Sequence, residues 1–293
     1  MLAVAAAAGA AIAINAGYVV QHSGLTTAPR IELRRPLSAV AALLRSRRWV
    51  SGALLGYAGM ALEIGALAAL PLSAVQAAIG GGLVVVAVLS RAMSGTPLGR
   101  TAPAGAVLAV AALAIIAVVT PGTVGPRHAP APALWALIAA ALAVTGMAAI
   151  VARRVPTATG LALAAGLLYG MTSIAMAALA PALAGTPPAP AVIAVAVPIG
   201  VIVTAAGFLS FQRALQHGRP LPVATAMMAA MDLVAIAGGI VLLGDPLATG
   251  AAARAAQIGA LALVALSAVV VLGDRRAERL APQASVALPA TAG

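Results

Sequence analysis

Nine stretches of this chain run for about twenty residues with almost no charge: 2–21, 49–70, 72–90, 104–120, 134–152, 159–180, 191–212, 222–243 and 255–273. A helix needs about 20 apolar residues to cross the hydrocarbon core of a bilayer. Lipid offers the backbone no hydrogen-bond partner, so a spanning segment must satisfy its own amides and carbonyls. The sequence therefore predicts an all-α, polytopic membrane helix bundle of nine transmembrane helices, or ten. The second and third spans are separated by little more than Pro71 and rest on their summed length. Composition agrees: 8% of residues are charged and mean hydropathy is +1.09, against roughly a quarter charged in soluble domains.

The links between spans carry the topology. The chain has no lysine, and its 17 basic residues are all Arg. Those in the connections after the first, third, fifth and seventh spans and in the C-terminal tail number 15, against only Arg127 and Arg254 on the other side. Positive charge concentrates in cytoplasmic loops. This predicts a cell-membrane protein with its N-terminus outside and its C-terminus cytoplasmic. The net charge of +11 is thereby a topology signal. A nucleic-acid partner would want Arg clustered with aromatics on one soluble module, and no such module exists. The Ala-rich opening residues lack the positive n-region of a signal peptide and read as the first span. Trp49 and Trp135 fall where interfacial aromatic anchors belong. With no cysteine, disulfides and thiol chemistry are excluded.

Sliding the sequence on itself by 149 residues lays Pro71-Leu72 on Pro220-Leu221 and Gly95-Thr96-Pro97-Leu98 on Gly244-Asp245-Pro246-Leu247. Gly17 meets Gly166 and Glu63 meets Gln212. This pairs a first four-helix half (1–120) with a second (159–273), leaves 134–152 as connecting helix, and leaves 274–293 as a disordered cytoplasmic tail. An offset of five helices turns each unit over relative to its mate. Inverted repeats are a signature of secondary transporters, with the site near the midplane between the halves.

At these residues the chain resembles the drug/metabolite transporter superfamily (EamA-like). The similarity is carried by Ala66-Leu67 leading into Pro71-Leu72-Ser73-Ala74-Val75, by Gln212-Arg213-Ala214-Leu215 leading into Pro222-Val223, and by a Gly-x-Pro-Leu turn in each half. The acidic second residue usual in that turn is kept as Asp245 and replaced by Thr96. Trp49-x-x-Gly52 … Pro71 and Arg213-Ala214-Leu215 are most similar to the NIPA-type magnesium transporter branch, whose Glu and Asn in the second helix align with Met60 and Glu63. The resemblance implies nine helices with an outside N-terminus and alternating access.

Six acidic residues are present, and two of them, Glu63 and Asp232, lie inside spans. Ionisable residues within a bilayer are costly and mark ion or substrate pathways by default. A carboxyl there carries a proton or offsets a cationic substrate; the competing role is a hydrogen-bonded structural carboxyl. Asn15 and Gln76 are amides in apolar helices, either lining the path or bonding between helices. Tyr57, six residues before Glu63 and off its helical face, and Tyr169 are further candidate contacts. Gln212 is a candidate gate or interface residue, and Pro198 should kink its helix. Gly52, Gly56 and Gly59 form a small-residue stripe for close helix approach, and Gly80, Gly81 and Gly82 either do the same or loosen a hinge. His22, His128 and His217 sit near opposite surfaces, so no shared metal is expected; His217 reads as loop.

The expected function is a secondary transporter of a small metabolite or cation, driven by protons or by the substrate gradient itself. No phosphate-binding loop is present to power it with nucleotide. A NIPA-like magnesium transporter is the alternative, and a non-transporting membrane assembly protein a further one. With only seven aromatic residues, an aromatic cage for a bulky cation is poorly supplied. No cofactor is implied, and neither a zinc-binding His pair nor a nucleophile elbow supports an enzyme.

Overall fold

The computed structural model describes residues 2–26, 36–94, 101–119, 131–185, 188–245 and 247–272. These residues form helices and connecting turns, with no strand among them. Eleven α-helices follow in order: α1 Leu2–Leu25, α2 Pro36–Leu44, α3 Arg47–Leu67, α4 Leu72–Gly81, α5 Leu83–Ser94, α6 Thr101–Val119, α7 Ala131–Arg154, α8 Ala158–Leu179, α9 Pro190–His217, α10 Pro220–Leu242 and α11 Ala251–Leu272. A 3₁₀ turn, Ala180–Ala184, extends α8. Seven stretches are long and apolar enough to cross a membrane: α1, α3, Leu72–Met93, Leu134–Arg154, Ala158–Ala182, α9 and α10. Two more, Pro103–Val119 and Ala251–Ser267, are shorter apolar helices. The chain is a multi-pass helical membrane protein. The Gly95–Leu98 turn, Pro246, Arg127, His128 and the tail lie outside the described residues.

Several local expectations need correction. The third span is not one continuous helix: it breaks at Gly82, whose N–H bonds to the Ile79 carbonyl at 2.9 Å before α5 resumes. The short α2 falls in a segment too brief to register as a span. His217 is the last residue of α9 rather than loop, its Nδ1 lying 2.8 Å from the Arg213 carbonyl. Pro198 sits exposed inside α9, which runs as helix from Pro190 to His217.

Packing is organised around α10, whose Met227, Met228 and Ala235 are fully buried. Helix α1 lies on α3 and also touches α4 and α5, while α8 lies on α9 and α10. Helix α6 faces α11, and α4 faces α10. Small residues set these distances. A Cβ on Gly52 would stand 2.6 Å from the Gln21 backbone nitrogen, and one on Gly17 would stand 2.8 Å from the Gly52 carbonyl oxygen. Helices in lipid gain little from hydrophobic association and depend on such backbone approach. In α8 the same device recurs: a Cβ on Gly170 would stand 2.8 Å from the Met231 carbonyl oxygen.

A polar contact also joins the start of α4 to the turn after α10. Gly244 takes φ +70°, a left-handed conformation open to glycine, and turns the chain so that Asp245 is buried against α4. The Ser73 N–H, in the first turn of α4, donates to Asp245 Oδ2 at 3.4 Å. A carboxylate at a helix N-terminus satisfies an orphan amide and opposes the positive end of the helix dipole.

Candidate functional site

Between α1, α3, α8 and α9 lies a cavity of about 600 Å³, within the usual range for small-molecule sites. Its charged group is Glu63, near the C-terminal end of α3 and 7% exposed. Glu63 Oε1 accepts from Gln76 Nε2 at 3.2 Å, which fixes the carboxyl from α4. No basic side chain among the described residues pairs with it.

Aromatic rings make up much of the wall, against the sequence expectation. Of the seven in the chain, Tyr18, Tyr57, Tyr169, Phe208 and Phe211 all line this one cavity. Phe211 is the hub: Tyr18 meets it edge-on at 4.7 Å between centroids, and Tyr169 at 6.1 Å. Trp49 packs edge-on against Phe208 at 6.0 Å. Composition counts rings, whereas the fold gathers them. Edge-to-face geometry is among the preferred aromatic arrangements. Thr172 and Thr204, 2.9 Å apart between hydroxyls, add a polar seam between α8 and α9.

The end of the cavity nearest Arg47, Arg48 and Arg213 is shut by a chain of hydrogen bonds. Trp49 Nε1 donates to Gln212 Oε1 at 2.9 Å, Gln212 Nε2 donates to Gln21 Oε1 at 2.6 Å, and Gln21 Nε2 donates to the Gly52 carbonyl at 3.3 Å. All three side chains are buried. Trp49, expected as an interfacial anchor, is buried, with its N–H turned inward to Gln212. Trp135, 75% exposed, does face outward. Beside this seal His22 Nδ1 lies 2.8 Å from the Leu215 carbonyl. Halfway along the spans the wall thins: Tyr57 and Val201 line the cavity yet are 55% and 65% exposed.

The predicted site residues thus divide. Glu63, Tyr57, Tyr169 and Gln212 face the cavity. Gln76 reaches it through Glu63. Asp232 is 1% exposed behind the wall, next to Met231, which lines it. Asn15 is buried at the α4–α5 break, where its Nδ2 donates to the Ala11 carbonyl at 2.8 Å and the Ile79 carbonyl at 3.0 Å. Pro198 lies outside the lining. Tyr18, Gln21, Phe208 and Phe211 were not singled out, although helical spacing held the signal. Tyr18 and Gln21 are three apart, as are Phe208 and Phe211, so each pair shares a helix face. Among the described residues no three His, Cys, Asp or Glu side chains gather as a metal site.

No protein-family model, no curated protein and no solved structure matches this chain.

Proposed function

We propose that the chain is a secondary transporter of the drug/metabolite type, moving a small organic cation or cationic metabolite by alternating access. The observation that carries this reading is the cavity itself, where one unpaired-by-base carboxyl, Glu63, stands among five aromatic rings. A carboxylate supplies the counter-charge, and ring faces attract cations, most strongly when desolvated. The hydrogen-bonded seal at the Arg-rich end makes this conformation one in which the cytoplasmic side is closed. Protons or the substrate gradient supply the driving force.

In this reading nine helices span the cell membrane, with the N-terminus outside and α7 joining two inverted repeats. What supports the repeat is the pairing of contacts. The packing of α1 on α3 corresponds to that of α8 on α9, and the contacts of α4 with α1 correspond to those of α10 with α8. Both α4 and α10 begin at a Pro-Leu pair. A magnesium transporter is less favoured, because magnesium asks for several oxygen ligands in near-octahedral array and this wall is chiefly apolar. The non-transporting alternative leaves a lined and sealed cavity without a use.

The test is uptake into proteoliposomes holding the purified full chain, comparing an aromatic organic cation, an amino-acid-like metabolite and magnesium. Saturable uptake of the organic cation is expected, reduced at least tenfold by Glu63→Gln with insertion intact. Absence of flux for all three, or a Glu63→Gln variant as active as the parent, overturns the proposal.

A further inference from the structure

Behind the cavity, buried acceptors without a hydrogen-bond partner are present on both α4 and α10. Asp232 reaches α4 from α10, and neither of its oxygens has a hydrogen-bond partner. It stands so close to α4 that a Cβ on Gly80 would lie 2.8 Å from Asp232 Oδ2. One helical turn earlier, on the same face, Gln76 spends its Nε2 on Glu63 while its own Oε1, fully buried, is unpartnered. The charged and titratable groups that act on Asp232 from neighbouring elements are Glu63 on α3 and the Tyr18 hydroxyl on α1. No basic side chain among the described residues contributes. The apolar floor is Leu113 of α6, which crowds Gly80.

The chemistry of these orphans is one-sided. Asp232 Oδ1, Asp232 Oδ2 and Gln76 Oε1 are all acceptors. A proton placed on Asp232 yields one O–H donor and leaves at least one acceptor unsatisfied, and the Gln76 amide oxygen takes no proton of its own. A bare cation, by contrast, is met by several oxygens at once, and hard cations prefer carboxylate and carbonyl oxygen. The closeness of Gly80 and Leu113 favours a small ion. A single buried carboxylate beside a neutral amide balances one positive charge.

We propose that Asp232 and the Gln76 amide oxygen bind a sodium ion at this turn of α4, behind the wall of the substrate cavity. Gln76 is the link between the two, because the same amide touches the ion through its oxygen and Glu63 through its nitrogen. Occupancy by sodium orients the Gln76 amide and with it the Glu63 carboxyl, coupling ion binding to the cavity. The coupling rests on the transport reading above; the binding does not.

Binding is therefore tested without flux, on the purified full-length protein at constant pH and ionic strength, with N-methylglucamine replacing sodium. Sodium is expected to raise the thermal unfolding temperature saturably. Gln76→Met should weaken the sodium midpoint at least tenfold, and Asp232→Asn should abolish the response. Equal stabilisation by potassium, stabilisation by magnesium but not sodium, a response to pH alone, or retention of the effect in Asp232→Asn overturns the assignment. Should Asp232→Asn fail to fold, Gln76→Met decides: an unchanged sodium midpoint refutes the site. Sodium binding without any solute flux would sink the transport reading and leave this site standing.

Discussion

Replacing Gln212 with Leu should open the sealed end of the cavity. Leu has nearly the volume of Gln but neither accepts from Trp49 Nε1 nor donates to Gln21 Oε1, so two buried interhelical hydrogen bonds disappear together. Such bonds in membrane proteins average about 0.6 kcal/mol and reach about 1.7, so the pair is worth roughly 1–3 kcal/mol. These bonds join α9 to α3 and α1 and exist only while the seal is closed, so their loss falls on the closed state. At about 1.4 kcal/mol per factor of ten, the open-to-closed ratio rises roughly 5- to 150-fold. The chain has no cysteine, which makes the assay clean. Ser173, a buried cavity residue, is changed to Cys and exposed to an impermeant thiol reagent from the cytoplasmic face of inverted vesicles. Its modification rate should rise at least fivefold in the Gln212→Leu background. An unchanged rate in a variant that still unfolds cooperatively would refute the claim that this relay is what closes the cavity.

Other consequences are equally direct. Gly52→Ala places a methyl against the Gln21 backbone, which has no flexible end to yield; thermal unfolding in detergent should show a loss of about 1–3 kcal/mol. Gly65→Ala, inside α3 with nothing within 4 Å of the added atom, should cost nothing and stabilise by up to about 1 kcal/mol in the same assay. Asp245→Ala removes the carboxylate that accepts from the Ser73 N–H and should destabilise by about 0.5–2 kcal/mol, as for other helix N-terminal acceptors; Asn at that position should recover most of the loss. Arg127→Cys should be labelled from outside intact cells and Arg153→Cys spared, the opposite pattern refuting the orientation.

The spans were legible because lipid imposes a length and an apolarity that few other environments demand. Each of the nine apolar stretches coincides with helix, although α6 and α11 supply only the shorter apolar runs. Hydropathy is blind to backbone geometry, so only the run Gly80-Gly81-Gly82 pointed to the break at Gly82. There, Asn15 arrives from α1 to bond the Ile79 carbonyl, a contact across 64 residues of sequence. Glu63 stood out as a carboxyl in an apolar helix, and it does face the cavity. Asp232 carried the same signal and lies behind the wall, since depth along a span says nothing about rotation around it. The aromatic lining was missed for another reason. Tyr18, Tyr169 and Phe211 come from three different helices, and only their packing makes one wall of them.

The bond from Ser73 to Asp245 also bears on how the chain is made. The two residues are 172 apart, so α4 emerges from the ribosome and enters the bilayer long before its terminal carboxylate exists. Until residue 245 has been synthesised and turned over Gly244, the first half carries a helix whose opening amide lacks this acceptor. Expressed alone, a fragment ending before α10 would retain that defect, and supplying the missing half in trans is what should mend it.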